Sequence, residues 1–425
     1  MLLLKVIHTR VLALTARGTP LQPALARFRP PAVLAQSNEP LGLGWLPLLS
    51  LLAAGGLLCV AVAFTYSRAG SQQIEPLFWL GLLLIVVPGL IRLAGSDAER
   101  AERLSLVILI GLSLYLVKVM HSPYAFTYSD EFLHAFNTQQ ILTTGRLFTV
   151  NPILTVSALY PGLPLLTAAL TSLTGLSVFQ AGLVVIGTAR LILMLALFVL
   201  YEQIGASPRV AGLGVLLYAA NANFVYWSSQ FGYESLSLPL AVLVLYLVRR
   251  RQTAASAQKR LAWTLAAALG IGAVVITHHL TSYFLVVFLL IWTLFHHGAL
   301  GWLNQRLNPA GAPHLVWLDR LRSRLAEAPR PEEALRRREP HGWDVSPALL
   351  AAVALLAAGG WLVLVAGQTV NYLFPVLGRA VGSVVGLIAG EETSRELFRS
   401  TTGYVAPVWE RVAGISSVVL ALIGL

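Results

Sequence analysis

Charged residues are scarce in this chain, and cysteine is almost absent. Of 425 residues, 12% are charged and 56% are hydrophobic, whereas soluble domains carry about 25% charged residues. This composition excludes a soluble globule. The single cysteine, Cys59, lies in an apolar run and therefore excludes a disulfide framework and a cysteine-based metal site. Several runs reach the ~20 apolar residues that cross a bilayer, so the sequence predicts an all-α polytopic membrane protein.

Basic residues outnumber acidic ones, 30 to 19, but their placement does not indicate a nucleic-acid partner. They lie in segments that flank the apolar runs, where Lys and Arg mark the cytoplasmic side. The run Arg249–Arg251 and the arginine-rich loop 298–345 are examples. We therefore predict a multi-pass protein of the bacterial inner membrane, in contact with membrane lipid and without nucleic acid.

The apolar runs predict about ten transmembrane helices with the first and last ends in the cytoplasm. The predicted spans are 43–66, 76–95, 103–120, 179–203, 209–227, 233–249, 260–277, 280–297, 346–367 and 407–425. Residues 160–176 are also apolar, but they are short, and a crossing there would move the later arginines outside. We interpret them as a helix at the outer rim or a re-entrant segment.

The predicted spans divide the chain into four parts. Residues 1–42 form a cytoplasmic segment, 43–102 hold two additional transmembrane helices, and 103–367 form the core. The part 368–425 holds an amphipathic outer segment and the last span. The core carries the long outer loop 121–178 and the cytoplasmic loop 298–345. The sequence ends inside an apolar run, which leaves open whether it is a fragment.

Ionisable and polar side chains collect at the predicted outer ends of the spans. They are Asp130, Glu131 and His134 in "YSDEFLHAF" after the third span, Tyr233 and Glu234 before the sixth, and His278 and His279 in "THHLTSY" after the seventh. An ionisable group at this depth costs about 2–3 kcal/mol unless it faces a cavity or a partner. Their convergence on one face therefore predicts a functional site.

The acidic stretch predicts a short helix of its own. Ser129 suits the N-cap, Gly145 suits the stop, and the helix would run from about 130 to 143. Asp130 and His134, four residues apart, would then share a face. The helix dipole favours the ionised form of Asp130, which could act as a general base.

Two roles are open for the histidines. His278 and His279 could donate hydrogen bonds to a phosphate. Alternatively, one of them could hold a divalent cation together with Asp130 and His134, because carboxylate and imidazole ligands suit several metals. The sequence does not choose between these roles and predicts no other cofactor.

Each of these residues also has a purely structural explanation. The acidic pair could be a solvated loop end, the two adjacent histidines could be an interfacial pair, and Glu234 could stabilise a helix N-terminus. Arg190 lies in the middle of a span and could face an anionic ligand, or pair with Glu202 or with a backbone carbonyl. Lys118 could extend to the interface.

Several stretches resemble membrane glycosyltransferases of the GT-C class. They are the acidic pair at the start of a long outer loop, "ILTTGRLF", "YPGLPLLTAALTSLTGLS" and "FQAGLVVIGTARLILML". The stretches "GYESLSLPLAVLVLYLV" and "VVITHHLTSYFLVVFLL" are similar to bacterial members of unassigned specificity. The resemblance covers about residues 103–367, which hold seven of the predicted spans, as in the GT-C core.

The resemblance implies transfer of a sugar from a polyprenyl phosphate to a glycan, lipid or protein acceptor on the extracytoplasmic face. Asp130 and Glu131 stand at the positions of the family's catalytic carboxylate. With one carboxylate as base, inversion at the sugar is expected. Substrate-binding roles then fall to His134, Arg190, Tyr233, Glu234, His278 and His279, with Lys118 a further candidate near the leaving phosphate. No signature of one GT-C branch is present, so donor sugar and acceptor stay open.

The main alternative is a transporter or flippase for a lipid-linked or polar substrate. Such proteins often contain internal repeats and place charges near the bilayer midplane. The sequence shows no clear repeat, and its charges gather at one rim. This distribution favours the enzyme.

Overall fold

Helices form all the regular structure in the described part of the chain. The computed structural model describes residues 43–71, 74–221, 223–296 and 346–389, with 405, 407, 408, 411 and 412. Its helices are α1 Leu46–Arg68, α2 Glu75–Ala94, α3 Arg100–His121, α4 Ser129–Thr144, α5 Gly162–Thr174, α6 Val178–Gly205, α7 Pro208–Ala219, α8 Tyr233–Gln252, α9 Ala257–Thr277, α10 His279–His296, α11 Ser346–Leu364 and α12 Gln368–Ala389. Short 3₁₀ helices lie at Thr155–Leu159 and Trp227–Ser229. The predicted segments 1–42 and 298–345 and most of the predicted last span lie outside the described residues.

Six of the described helices are long and apolar enough to cross a membrane. They are α1, α2, α3, α6, α9 and α11, and each overlaps a predicted span. Large apolar side chains such as Leu51, Leu58 and Ile91 are exposed on the outside of the bundle, where lipid would cover them. The prediction of an all-α multi-pass membrane protein is confirmed at this level.

Two further predicted spans are also helical. α8 covers the predicted span 233–249 with 20 residues, and α10 covers 280–297 with 18 residues. Helix α5, in the segment interpreted as non-crossing, has 13 residues. At 1.5 Å per residue it is about 20 Å long, shorter than the ~30 Å hydrocarbon core.

The predicted span 209–227 is wrong as a continuous helix. Helix α7 ends at Ala219 after 12 residues, a length of about 18 Å. The described residues 220, 221 and 223–232 are irregular, apart from the 3₁₀ turn Trp227–Ser229. Asn221 and Asn223 follow the helix end, and the Asn221 side chain accepts a hydrogen bond from the Asn223 N–H at 2.9 Å. Such local bonding competes with helix continuation.

Helix α6 is the centre of the bundle. It packs against α3, α5, α7 and α8. Helices α1 and α2 form a close hairpin beside α3, because Gly56 and Gly81 face each other. A Cβ atom on either glycine would lie 2.6 Å from the carbonyl oxygen of the other, so only small residues allow this approach.

The arginines near the start of the bundle mark one end of it. The Arg92 guanidinium binds Glu102 and Asp97, each at 2.7 Å, and Arg100 binds Glu202 at 2.7 Å. Since α3 runs from Arg100 to His121, the predicted site residues near His121 lie at the opposite end. The positive-inside rule predicts that the arginine end faces the cytoplasm.

Candidate functional site

Helix α4 carries the acidic stretch, as predicted, and begins one residue earlier. Tyr128 is the N-cap residue and Ser129 is the first helical residue, whereas Ser129 was the predicted N-cap. Gly145 ends the helix in the left-handed region, with a φ of 65°, a conformation that glycine adopts without strain. Asp130 therefore lies in the first turn, partly exposed.

Glu131 lies in the interior and is held by four donors. Its side chain is fully buried and forms an ion pair with Lys118. It also accepts hydrogen bonds from the N–H groups of Thr127 at 3.0 Å, Tyr128 at 3.2 Å and Phe231 at 3.1 Å. Glu131 thus connects α3, the start of α4 and the segment before α8. The interpretation that Lys118 extends to the interface is wrong, since its side chain is 1% exposed.

Four residues from three separate segments form one cluster of rings. The centroid of the His134 ring lies 4.3 Å from that of Tyr233, and the Tyr233 ring stacks on His278 at 4.3 Å. The His279 ring lies 4.8 Å from His278. We call these four residues the imidazole cluster. The acidic helix α4 and the paired histidines therefore meet, and Tyr233 is the contact between them.

Three tyrosines that the sequence reasoning did not single out surround His279. The ring centroids of Tyr160, Tyr372 and Tyr283 lie 5.1, 6.0 and 6.5 Å from that of His279. The Tyr160 hydroxyl also lies 3.1 Å from that of Thr369 at the start of α12. The "YPG" and "THHLTSY" stretches contain Tyr160 and Tyr283, but contacts between segments this distant in sequence leave no local signal, as in the Tyr160–Thr369 pair, which is separated by 209 residues.

The cluster is buried, and burial keeps imidazoles neutral. It lowers the pKa of His134 to about 3 and that of His278 to about 2, because the charged form loses its hydration. At neutral pH these two rings therefore act as neutral donors or acceptors and carry no positive charge.

Buried polar atoms around the cluster have no hydrogen-bond partner among the described residues. They are Nδ1 of His134, Nδ1 of His279 and the hydroxyl of Tyr283. Buried polar atoms are nearly always satisfied in native proteins. Their concentration around Tyr233 and His279 suits a polar ligand.

A hydroxyl chain contacts the His278 ring. The Ser237 hydroxyl donates to the Thr281 hydroxyl at 3.0 Å, and the Thr281 hydroxyl lies 2.8 Å from Nδ1 of His278. Thr281 can donate its proton to Nδ1 or accept one from it, because a hydroxyl oxygen also has two lone pairs. Donation by Thr281 places the proton of neutral His278 on Nε2. Neither hydroxyl was among the predicted site residues.

Glu234 and Asp130 add negative charge beside the cluster. Glu234 lies in the first turn of α8, half-buried, and its side chain forms no cap hydrogen bond. The Asp130 carboxylate acts electrostatically on both Tyr233 and Glu234. Asp130, Glu234 and the imidazole cluster therefore share one region, as the sequence predicted.

Arg190 supports the irregular segment after α7. Its guanidinium donates to the Phe224 carbonyl at 2.8 Å and to the hydroxyls of Ser228 and Ser229, and it lies 3.9 Å from the Phe224 ring centroid. Of the alternatives above, the backbone carbonyl is the observed partner. Glu202 is not, because it pairs with Arg100.

The divalent-cation alternative gains no support. Among the described residues, no three His, Cys, Asp or Glu side chains are arranged to hold a metal ion.

Comparison with known proteins identifies no relative. No protein-family model matches the chain, and neither a curated protein nor a solved structure matches it.

Proposed function

We propose that this chain is a membrane glycosyltransferase that moves a sugar from a polyprenyl phosphate to an acceptor on the extracytoplasmic face. One observation carries the proposal: the partly exposed carboxylate of Asp130, one helical turn before His134, acts electrostatically on Tyr233 in the buried, neutral cluster at the end of the bundle opposite Arg92 and Arg100. A carboxylate next to neutral hydrogen-bonding groups suits base-assisted attack by a hydroxyl.

Asp130 would act as the base. It takes the proton of the acceptor hydroxyl while that oxygen attacks the anomeric carbon of the donor sugar. The bond between that carbon and the phosphate oxygen breaks, and the polyprenyl phosphate leaves with the bonding electrons. Direct displacement inverts the anomeric configuration.

Glu131 suits a positioning role. Both of its oxygens accept hydrogen bonds, and Lys118 neutralises its charge. By holding the N–H groups of Thr127 and Tyr128, it fixes the start of α4 and thereby the direction of Asp130. Of the two carboxylates predicted to be catalytic, Asp130 is partly exposed and can reach an acceptor hydroxyl, whereas Glu131 is buried and paired with Lys118.

The leaving phosphate would meet a neutral donor in the cluster. Lys118 is paired with Glu131, and Arg190 binds the Phe224 carbonyl through Nη2, while its Nη1 has no hydrogen-bond partner among the described residues. With Thr281 donating to Nδ1, the Nε2–H group of His278 would be the donor to the phosphate.

The deciding experiment measures transfer from labelled polyprenyl-phosphate sugars in membranes containing the full chain. Asp130→Asn should lower the rate by about 10²–10⁴-fold, the usual contribution of a general base. Glu99→Gln, which changes an exposed carboxylate at the arginine end, should retain the rate. Unchanged transfer by Asp130→Asn would contradict the assignment of the base.

The early end of α7 favours a second candidate, a transporter or flippase. Helices interrupted within the membrane are typical of transporters, and α7 stops about 18 Å from its start. Reconstituted vesicles distinguish the two. Movement of a lipid-linked sugar across the bilayer without formation of a glycosylated product would favour the transporter.

A further inference from the structure

An open pocket lies between the α1–α2 hairpin and the core. It has a volume of about 630 Å³, and its lining includes Phe64, Ser67, Ser71, Glu75, Phe78, His121 and Tyr226. This volume falls in the range of about 300–1,000 Å³ typical of small-ligand sites. It lies at the end of α1 and the start of α2, on the same side of the bundle as Asp130. None of the residues predicted to be catalytic or substrate-binding lines it.

One wall of this outer pocket is aromatic. The rings of Phe64 and Phe78 lie 5.5 Å apart, and His121 meets Phe64 at 5.3 Å and Tyr226 at 5.6 Å, both edge to face. Burial raises the pKa of Tyr226 to about 12, so its hydroxyl stays protonated and can donate. The wall thus combines apolar ring faces with a polar edge.

The pocket lining also contains polar and acidic groups. The Glu75 carboxylate accepts a hydrogen bond from Nε1 of Trp79 at 3.2 Å through Oε1. Within the described residues, no cation lies within ion-pair distance of Glu75. Ser67 and Ser71 line the same pocket.

This lining selects the chemistry of a ligand. Among the described lining residues there is no Lys or Arg, and the Glu75 carboxylate repels anions, so a phosphate is disfavoured, although Arg68 lies close enough to act electrostatically on His121. The carboxylate and hydroxyls equally disfavour an acyl chain. A sugar ring presents a C–H face to aromatic rings and hydroxyl groups to carboxylate, serine and imidazole, which matches both kinds of lining group.

The outer pocket shares structural elements with the imidazole cluster. His121 stacks on Tyr128 at 6.0 Å, and Tyr128 is the N-cap of the helix that carries Asp130. Tyr226 belongs to the segment that leads to Tyr233 and Glu234. A ligand in the pocket therefore contacts the two segments that position the proposed base and the ring cluster.

We propose that the outer pocket binds a neutral carbohydrate and serves as the acceptor-side subsite. The acceptor role rests on the proposed glycosyltransferase function, whereas carbohydrate binding itself does not.

The test measures binding to the full chain in lipid nanodiscs, free of sugar-based detergents. Chitobiose, mannobiose, cellobiose and maltotriose are the probes, followed by saturation-transfer NMR. We expect at least one to bind, and we expect Glu75→Gln and Phe78→Ala each to weaken it at least about tenfold, the loss of one hydrogen bond to a charged group or of one ring contact. Leu80→Ala, an exposed residue of the same helix, is the matched control and should bind as the unchanged chain does.

Three results would overturn the inference. The first is that no saccharide binds, and the second is that Glu75→Gln and Phe78→Ala leave saccharide affinity unchanged. The third is that tetramethylammonium binds instead of the sugars and loses affinity in the same two variants. Loss of binding in Leu80→Ala as well would equally contradict it, because the effect would then be unspecific.

Transfer assays separate the two proposals. If saccharide binding depends on Glu75 but the chain has no transfer activity, the carbohydrate site is supported and the glycosyltransferase proposal is contradicted. If Glu75→Gln and Phe78→Ala transfer sugar at an unchanged acceptor KM, the glycosyltransferase is supported and the acceptor subsite is contradicted.

Discussion

The ring of Tyr233 lies on the ring of His278, with centroids 4.3 Å apart and planes inclined by 21°. Tyr233 also contacts His134 at 4.3 Å. A single tyrosine at the start of α8 therefore joins the acidic helix α4 to the histidines between α9 and α10. Because these elements are distant in sequence, the region is a product of the folded bundle.

The buried pair Lys118–Glu131 should be essential for stability. Glu131→Gln leaves Lys118 charged and buried without its partner, which costs about 3–5 kcal/mol. The double variant Lys118→Met with Glu131→Gln should recover much of this loss. The exposed pair Arg100–Glu202 is the control, since Arg100→Ala should cost at most about 1 kcal/mol. Thermal unfolding followed by tryptophan fluorescence checks all three variants; equal losses for Glu131→Gln and Arg100→Ala would contradict the expectation.

Thr281 should set the behaviour of His278. Thr281→Val removes the hydroxyl that bonds Nδ1 while keeping the side-chain shape, so this bond no longer favours one tautomer of His278. We expect a mixed tautomer in ¹⁵N spectra of labelled histidine and a transfer rate lowered by about tenfold, with Thr281→Ser restoring both. A single Nε2–H tautomer in Thr281→Val would show that the hydroxyl chain does not control it.

Acid should destabilise the fold through the buried histidines. The pKa values of His134 and His278 lie at about 3 and about 2 in the folded chain, and at about 6.5 when unfolded. Between these values the unfolded chain binds more protons, so stability is fully present above about pH 6.5 and falls as pH decreases.

Each of these two histidines contributes up to about 1.4 kcal/mol per pH unit in this window. His134→Asn should therefore flatten the dependence of the melting temperature on pH between 7 and 4. His121→Asn, which replaces an exposed ring, should flatten it less. An identical slope in His134→Asn and the unchanged chain would refute the neutral, buried state of His134.

Cysteine labelling should confirm the orientation. After Cys59→Ser, a cysteine at the 85%-exposed position Tyr124 should react with an impermeant maleimide from outside intact cells. A cysteine at Ala255, beside the arginine run, should react only after permeabilisation. The reverse pattern would invert the membrane topology.

Apolar runs and helix signals in the sequence predicted much of the fold. Long apolar stretches predicted the six crossing helices, and Gly145 predicted the end of α4. These features are local, since hydropathy and helix stops depend on neighbouring residues. The proximity of Asp130, His134, Tyr233, His278 and His279 was predicted from the membrane topology, because these residues lie at span ends on the same predicted side of the membrane.

The partners of buried charges could not be predicted. Nothing near Lys118 in sequence identifies Glu131 as its partner, and nothing near Arg190 points to the Phe224 carbonyl. Such pairs depend on how helices rotate and on where they stop. The end of α7 was missed for the same reason, because hydropathy continues through residues that the fold keeps irregular.

The bond between Arg190 and Phe224 has a consequence for biogenesis. A guanidinium in the middle of α6 and a short, interrupted α7 are each poor candidates for entering the bilayer alone, since a central arginine costs about 2.5–3.5 kcal/mol on insertion scales. When the two segments pair, the Phe224 carbonyl accepts a hydrogen bond from Arg190, and the guanidinium satisfies a backbone group of the irregular segment. We therefore expect α6 and the segment up to residue 232 to enter the bilayer together as a hairpin. Insertion of α6 would then be delayed until Phe224 has been synthesised.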